Sequence, residues 1–178
     1  MKKILSALWI TTAFVVASEA KAKANTCPAD AFIQSAGAAF MSASRAGSPG
    51  AFTSAASRFA DLNSIAIFAL GPYRADLPKG REGEYVNLTK KFMGQFMFQY
   101  ASKFSGNSIV ITSCNGNVIG AKLSTGQSLT FRLRGGGKRI EDVSVSGIWL
   151  AQTLRSKFVG VIRNNNGDVG ALLSWLGN

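Results

Sequence analysis

Residues 91–123 read KFMGQFMFQYASKFSGNSIVITSCNGNVIGAKL, and the spacing of their apolar residues changes once along the way. Phe92, Phe96, Tyr100 and Phe104 recur every four residues with Met93 and Met97 beside them, which is the stripe of one helix face. Beyond Ser105-Gly106-Asn107 the period becomes two. Ile109 to Cys114 and Val118 to Leu123 alternate on either side of Asn115-Gly116, the dipeptide that best suits a two-residue hairpin turn.

Upstream, the helical pattern reaches back through Leu88 and Tyr85 to Lys79. Glu82 and Glu84 lie in its opening turns and Lys90, Lys91 and Lys103 further on, the order that the helix dipole favours. Shorter helices precede it. One carries Phe32, Ile33, Phe40 and Met41 and stops at Gly47-Ser48-Pro49-Gly50; the next carries Phe52, Ala55, Ala56 and Phe59. A third runs from Ser64 to Leu70, with Asn63 as its expected cap and Gly71-Pro72 as its stop.

Downstream of the hairpin, Leu129, Phe131 and Leu133 alternate with Thr130, Arg132 and Arg134, giving a strand with a dry face and a wet, basic one. Gly135-Gly136-Gly137 turns the chain into a fourth strand, Lys138 to Ser146. Leu150, Leu154 and Phe158 restore helical spacing until Asn164-Asn165-Asn166-Gly167, and Asp168 caps a last helix through Leu172, Leu173 and Leu176. The expected fold is α+β: helices packed on a strongly twisted, four-stranded, mainly antiparallel sheet.

Composition narrows the function. The chain has 178 residues, 47% hydrophobic and 16% charged, which describes a packed domain rather than a disordered chain. It has no histidine, so Ser-His and Cys-His nucleophiles and His-ligated metals are excluded. The only close acidic pairs, Glu82 with Glu84 and Glu141 with Asp142, have spacings that do not face each other and read as solvated surface charge. Arg134 to Arg139 lacks the pattern of a phosphate loop and reads as a hairpin flanked by strand-end cations. Nucleic-acid binding is not supported, because Lys90 and Lys91 project from a helix whose aromatics line the other side.

Met1-Lys2-Lys3, the apolar run Ile4 to Ala17 and the small residues up to Ala24 form an export signal. At about 14 residues the run is shorter than the ~20 needed to span a bilayer. Cleavage after Ala20, Ala22 or Ala24 is possible; the last gives a signal of 1–24 and a single domain of 25–178. Loss of residues 1–24 removes four lysines and one glutamate, so +11 becomes +8. Export permits Cys27 and Cys114 to pair, the alternative being two buried thiols.

The aromatic and methionine stripe also has two readings. It is ordinary core, or one wall of a cavity for an apolar ligand with adaptable methionines in it. Spacing does not separate them.

Three segments taken in order carry a resemblance. Phe68-Ala69-Leu70-Gly71-Pro72-Tyr73-Arg74, the helix with Phe92 and Tyr100, and Ile140-Glu141-Asp142-Val143-Ser144-Val145-Ser146-Gly147-Ile148-Trp149-Leu150-Ala151 with Arg155 and Phe158 resemble the MlaC family of periplasmic lipid carriers. The resemblance runs from about Ile65 to the C-terminus. It implies a deep apolar cavity between twisted sheet and helices that holds phospholipid acyl chains and leaves the headgroup near solvent. It also implies a monomeric periplasmic carrier, neither an enzyme nor a cofactor protein, whose partners are an inner-membrane ABC transporter with an MCE-domain ring and an outer-membrane lipoprotein complex. Pro72, Arg74 and Arg139 depart from the family's pattern, and the region before Ile65 is short and Ala-rich.

On that resemblance the expected chain contacts are Phe68 and Leu70, then Phe92, Phe96 and Tyr100 on the long helix, then Val110, Leu123, Val145 and Trp149 in the sheet region, with Tyr73 at the mouth. Arg132, Arg134, Lys138 and Arg139 have two readings, plain solvated charge, which is the expectation for any one of them, or contact with a lipid phosphate or an acidic docking surface. The rival reading is a periplasmic adaptor with a solid core and no ligand.

Overall fold

The structure is a computed structural model that describes residues 27–178; the expected export signal and cleavage site lie outside the described residues. Helix α1 (Asp30–Ala46) ends at Gly47, whose φ of +59° lets its N–H reach the carbonyls of Ala43 and Ser44. Ser48 then caps α2 (Pro49–Phe59) by accepting from the Ala51 N–H, with Pro49 in the first position, where no N–H is needed. Helix α3 (Leu62–Ala69) is capped by Asp61, not by Asn63 as expected. The Asp61 carboxylate accepts from the Ser64 N–H at 3.1 Å, so the helix starts earlier.

Helix α4 (Glu82–Gln99) is shorter than the expected span of Lys79–Phe104. Gly80 sits at φ +80° and the Arg81 N–H bonds the Pro78 carbonyl, which makes a turn of the first residues. Past Gln99 the chain tightens into a 3-10 turn over Ala101–Phe104.

The buried face of α4 is also rotated from the expected one. Tyr85, Val86, Thr89, Met93, Gly94 and Met97 face inward, whereas Phe92 and Phe96 are half-buried and Tyr100 is 48% exposed. Gly94 is the cause. A Cβ there would stand 2.7 Å from the Pro49 carbonyl and run into Thr53 Oγ1, so α2 lies against the bare backbone of α4 and the methionine side follows it inward. The phenylalanine side packs elsewhere, with the Phe92 ring 5.0 Å from Trp175 and 5.5 Å from Phe158.

The sheet is an antiparallel meander in the order β1 (Ile109–Asn115), β2 (Val118–Leu123), β3 (Ser128–Arg134), β4 (Arg139–Val145), β5 (Ile148–Trp149). The two-residue β5 adds a fifth strand to the four expected. Ser146 and Gly147, at φ +50° and +86°, turn the chain back so that Trp149 pairs with Ser144 and Ile148 with Val145. Cross-strand partners share a face. Ala121, Leu129 and Val145 form one inward row, and Ile119, Phe131 and Val143 another. Lys122, Thr130 and Arg132 take the outer face.

Helix α5 (Leu150–Asn164) leaves β5 directly, and α6 (Val169–Gly177) follows, with Asp168 accepting from the Gly170 N–H. Cys27 and Cys114 form a disulfide that ties the start of α1 to the end of β1, with a Cα separation of 5.7 Å. Closing a loop of that length is worth about 4–5 kcal/mol in the chain-entropy model.

Close approach at Gly94 leads to a paired prediction. Gly94→Ala is expected to lower stability by about 1–3 kcal/mol, although alanine favours helix. Gly83→Ala, with open space around it, is expected to raise stability by about 0.5 kcal/mol. Thermal unfolding of the two variants side by side measures the contrast.

Candidate functional site

Apolar side chains collect in two clusters rather than one. Helices α2 to α6 share the first, built around Phe52, Leu70, Tyr85, Phe158 and Leu172; α1 and the inner face of the sheet share the second, with Ile33, Ile119, Phe131 and Leu133. Phe40, Ala60 and Val145 pack against both. The seam between the clusters is where a ligand could lie.

Polar bonds close one end of that seam. Ala60 bridges to Ile140, and the Asp61 N–H donates to the Ile140 carbonyl at 2.9 Å. Arg139 donates to the carbonyls of Arg58 (2.9 Å) and Ser57 (3.4 Å) at the C-terminus of α2. Arg134 reaches Ser64 Oγ at 3.0 Å and Asp61 at 3.3 Å, and pairs with Glu141. Both arginines, read at the strand ends as solvated charge or as docking or phosphate groups, thus hold helix to sheet.

Asp142 makes the second tie. Expected as surface charge, it is 5% exposed. Its Oδ1 accepts from the Val143 N–H at 2.8 Å and from the Ala151 N–H at 2.9 Å, which pins the first turn of α5 to β4. The turn at Ser146 and Gly147 brings β5 and α5 back over it, an event that strand alternation does not foretell. Burial pushes the Asp142 carboxyl above its usual range, against the two N–H donors and the nearby Arg132 charge. Asp61 goes the other way: burial opposes its charged form, but hydrogen bonds from Ser64 and the charges of Arg134 and Arg139 outweigh it and hold the carboxyl low.

An apolar cavity occupies the seam. Its helical wall includes Met41, Ile65, Met93, Met97 and Phe104; its sheet wall includes Leu123, Leu129, Phe131, Ile140 and Val143. About 50 Å³ of it is open to the centre of a water-sized sphere. That exceeds what one water needs, ~10–15 Å³, but is smaller than the ~150 Å³ apolar cavity known to take up benzene. An acyl chain enters only if the walls part. Leu150, at the start of α5, separates the cavity from a depression of about 280 Å³ at the far end of β4, where Phe96, Tyr100 and Val145 meet Lys103, Gln127 and Ser146. Among the described residues no backbone hydrogen bond joins sheet to helices at this end; side chains and the chain link from β5 into α5 close it.

The expected contact residues fall in different places. Leu123 lines the cavity, and Phe96, Tyr100 and Val145 line the depression outside it. Leu70 is fully buried in the helical cluster, and Phe92 packs beside it on α6. Tyr73 sits against the helical cluster and Gly167 instead of at a mouth. Phe68 is 39% exposed beneath the Arg155 guanidinium, 5.0 Å from the ring. Val110 is 60% exposed on the outer face of the edge strand, and Trp149 stacks under Arg132 at 4.4 Å. None of these last six lines the cavity. Its sheet wall was readable from the dry face of β3, but Phe104, Ile65 and Met41 become neighbours only in the folded chain. Among the described residues no three His, Cys, Asp or Glu side chains group as metal ligands.

The MlaC protein family model matches residues 41–177. The chain belongs to the MlaC family. Among solved structures, this MlaC-family chain is similar to the phospholipid-binding protein from Ralstonia solanacearum in complex with a phospholipid. The two are 16% identical over 84% of this chain and 93% of that one, with a TM-score of 0.66. The likeness is one of fold. A search of curated proteins returned no match.

The Asp142 tie has measurable consequences. Asp142→Ala leaves the Ala151 and Val143 N–H groups without their acceptor and is expected to cost about 1–3 kcal/mol. Asp142→Asn keeps an acceptor and removes the buried charge. Because the native carboxyl pKa is raised, its favourable contribution is full below the unfolded pKa and is lost as pH rises through the native one. Wild type is therefore expected to lose stability relative to Asp142→Asn as pH rises above about 4, the ordinary aspartate pKa. Urea midpoints across that rise report it, and parallel curves would contradict it.

Proposed function

We propose that this MlaC-family protein is a periplasmic phospholipid carrier that shelters acyl chains in the seam and performs no covalent chemistry. The observation that carries the reading is the asymmetry of the seam: hydrogen bonds and arginines between sheet and helices close one end, whereas side chains and the β5–α5 link close the other. Such a cleft opens without breaking the fold. Met41, Met93 and Met97 in its walls are the side chains best able to re-pack around a flexible guest. The phospholipid held by the Ralstonia solanacearum relative supports the same ligand class here.

Burial of hydrocarbon supplies the driving force. Each methylene removed from water is worth about 0.8 kcal/mol, so a chain of roughly 16 carbons represents ~12 kcal/mol. A lipid leaves a membrane at a useful rate only when offered a comparably dry place. Export by the signal at residues 1–24 would put the carrier between two membranes, with an inner-membrane ABC transporter bearing an MCE-domain ring and an outer-membrane lipoprotein complex as donor and acceptor. One observation favours the rival adaptor reading, the narrowness of the cavity.

Detergent-free protein extracted with organic solvent is expected to yield about one equivalent of phospholipid by mass spectrometry. Met97→Trp should displace roughly two methylenes of guest and lower lipid affinity about tenfold while the protein stays folded. Val110→Ala, on the outer face, should leave affinity unchanged. Lipid-free preparations that also fail to take up labelled lipid would establish the adaptor.

A further inference from the structure

Resting on the carrier reading, we infer that the depression outside Leu150 is a headgroup site that prefers an anionic phospholipid to a zwitterionic one. Its floor is apolar, formed by Phe96, Val145 and Ile148, and continues through Leu150 into the cavity. Its rim carries Lys103 and the polar groups of Tyr100, Gln127, Ser146 and Thr153. A glycerophosphate emerging past Leu150 would meet one cation and the Tyr100 and Ser146 hydroxyls, since the Thr153 hydroxyl already donates to the Trp149 carbonyl. Lys157, one turn beyond Thr153 on α5, does not line the depression; its Nζ lies 5.7 Å from the Trp175 ring.

Among the described residues no carboxylate lines this rim. Glu82 and Glu84 open α4, four turns or so from Tyr100. Asp61 and Glu141 are engaged by Arg134, and Asp142 is buried against the Ala151 N–H. Asp168 caps α6. Asp30 opens α1 and Asp76 closes the 3-10 turn after α3; neither lines the depression. A phosphate alone is served equally well in every phospholipid. The amine of an ethanolamine headgroup finds no anion to pair with and instead meets Lys103, whereas a glycerol headgroup brings a net negative charge and no repulsion.

Delipidated protein is titrated with dioleoyl phosphatidylglycerol and dioleoyl phosphatidylethanolamine, which share their acyl chains and differ only in the headgroup. The expected result is tighter binding of the glycerol lipid by about fivefold, the worth of one part-exposed charge pair, shrinking as salt is raised. Lys103→Gln should bring the two affinities together without weakening the ethanolamine lipid, and Lys103→Glu should reverse their order. Lys91→Gln, a control on α4 outside the depression, should keep the preference. Equal affinities in wild type, or a preference untouched by Lys103→Gln, would overturn this inference and leave the carrier intact. Failure to bind either lipid would overturn both.

Discussion

Strand β4 carries the bonds that keep two apolar clusters together without letting them fuse. Along its first half, Ile140 accepts from Asp61, Arg139 seizes the end of α2, and Asp142 holds the start of α5. Along its second half, Val145 and the Ser146–Gly147 turn have no such partner among the helices. A fully merged core would bury more apolar surface. Polar ties stand at one end of the seam and side-chain packing at the other, with a narrow apolar cavity between them.

This division also sorts the positive charge. A net excess of cations suggests an anionic partner, but Arg134 and Arg139 are spent on the fold and Arg132 is stacked on Trp149. Arg155 similarly covers Phe68. Lys103 is the cation that lines the depression itself. Charge counted over the chain thus overstates the charge available for binding, because a guanidinium with several donors is a structural clamp as readily as a recognition group.

A carrier has to release what it holds, and the cavity walls suit that need. Methionines change rotamer at little cost, and an apolar lining keeps the resting cavity dry. Tyr85, buried and donating to the Ala66 carbonyl at 2.7 Å, lies in the helical cluster away from the seam and ties α4 to α3. The disulfide does the same for α1 and β1.

Local pattern alone determined the α+β class, the places of the helices and the first four strands, and the dry face of Leu129, Phe131 and Leu133. These follow from periodicity, and periodicity is a property of neighbours in the chain. Three things were decided only on folding. The α4 face turned from its phenylalanines to its methionines because Gly94 admits α2, the short β5 formed because the Ser146–Gly147 turn returned the chain, and Asp142 was buried because α5 then lay over it. Each depends on a contact between distant segments, whose burial and hydrogen bonding outweigh the small local preferences that sequence spacing records.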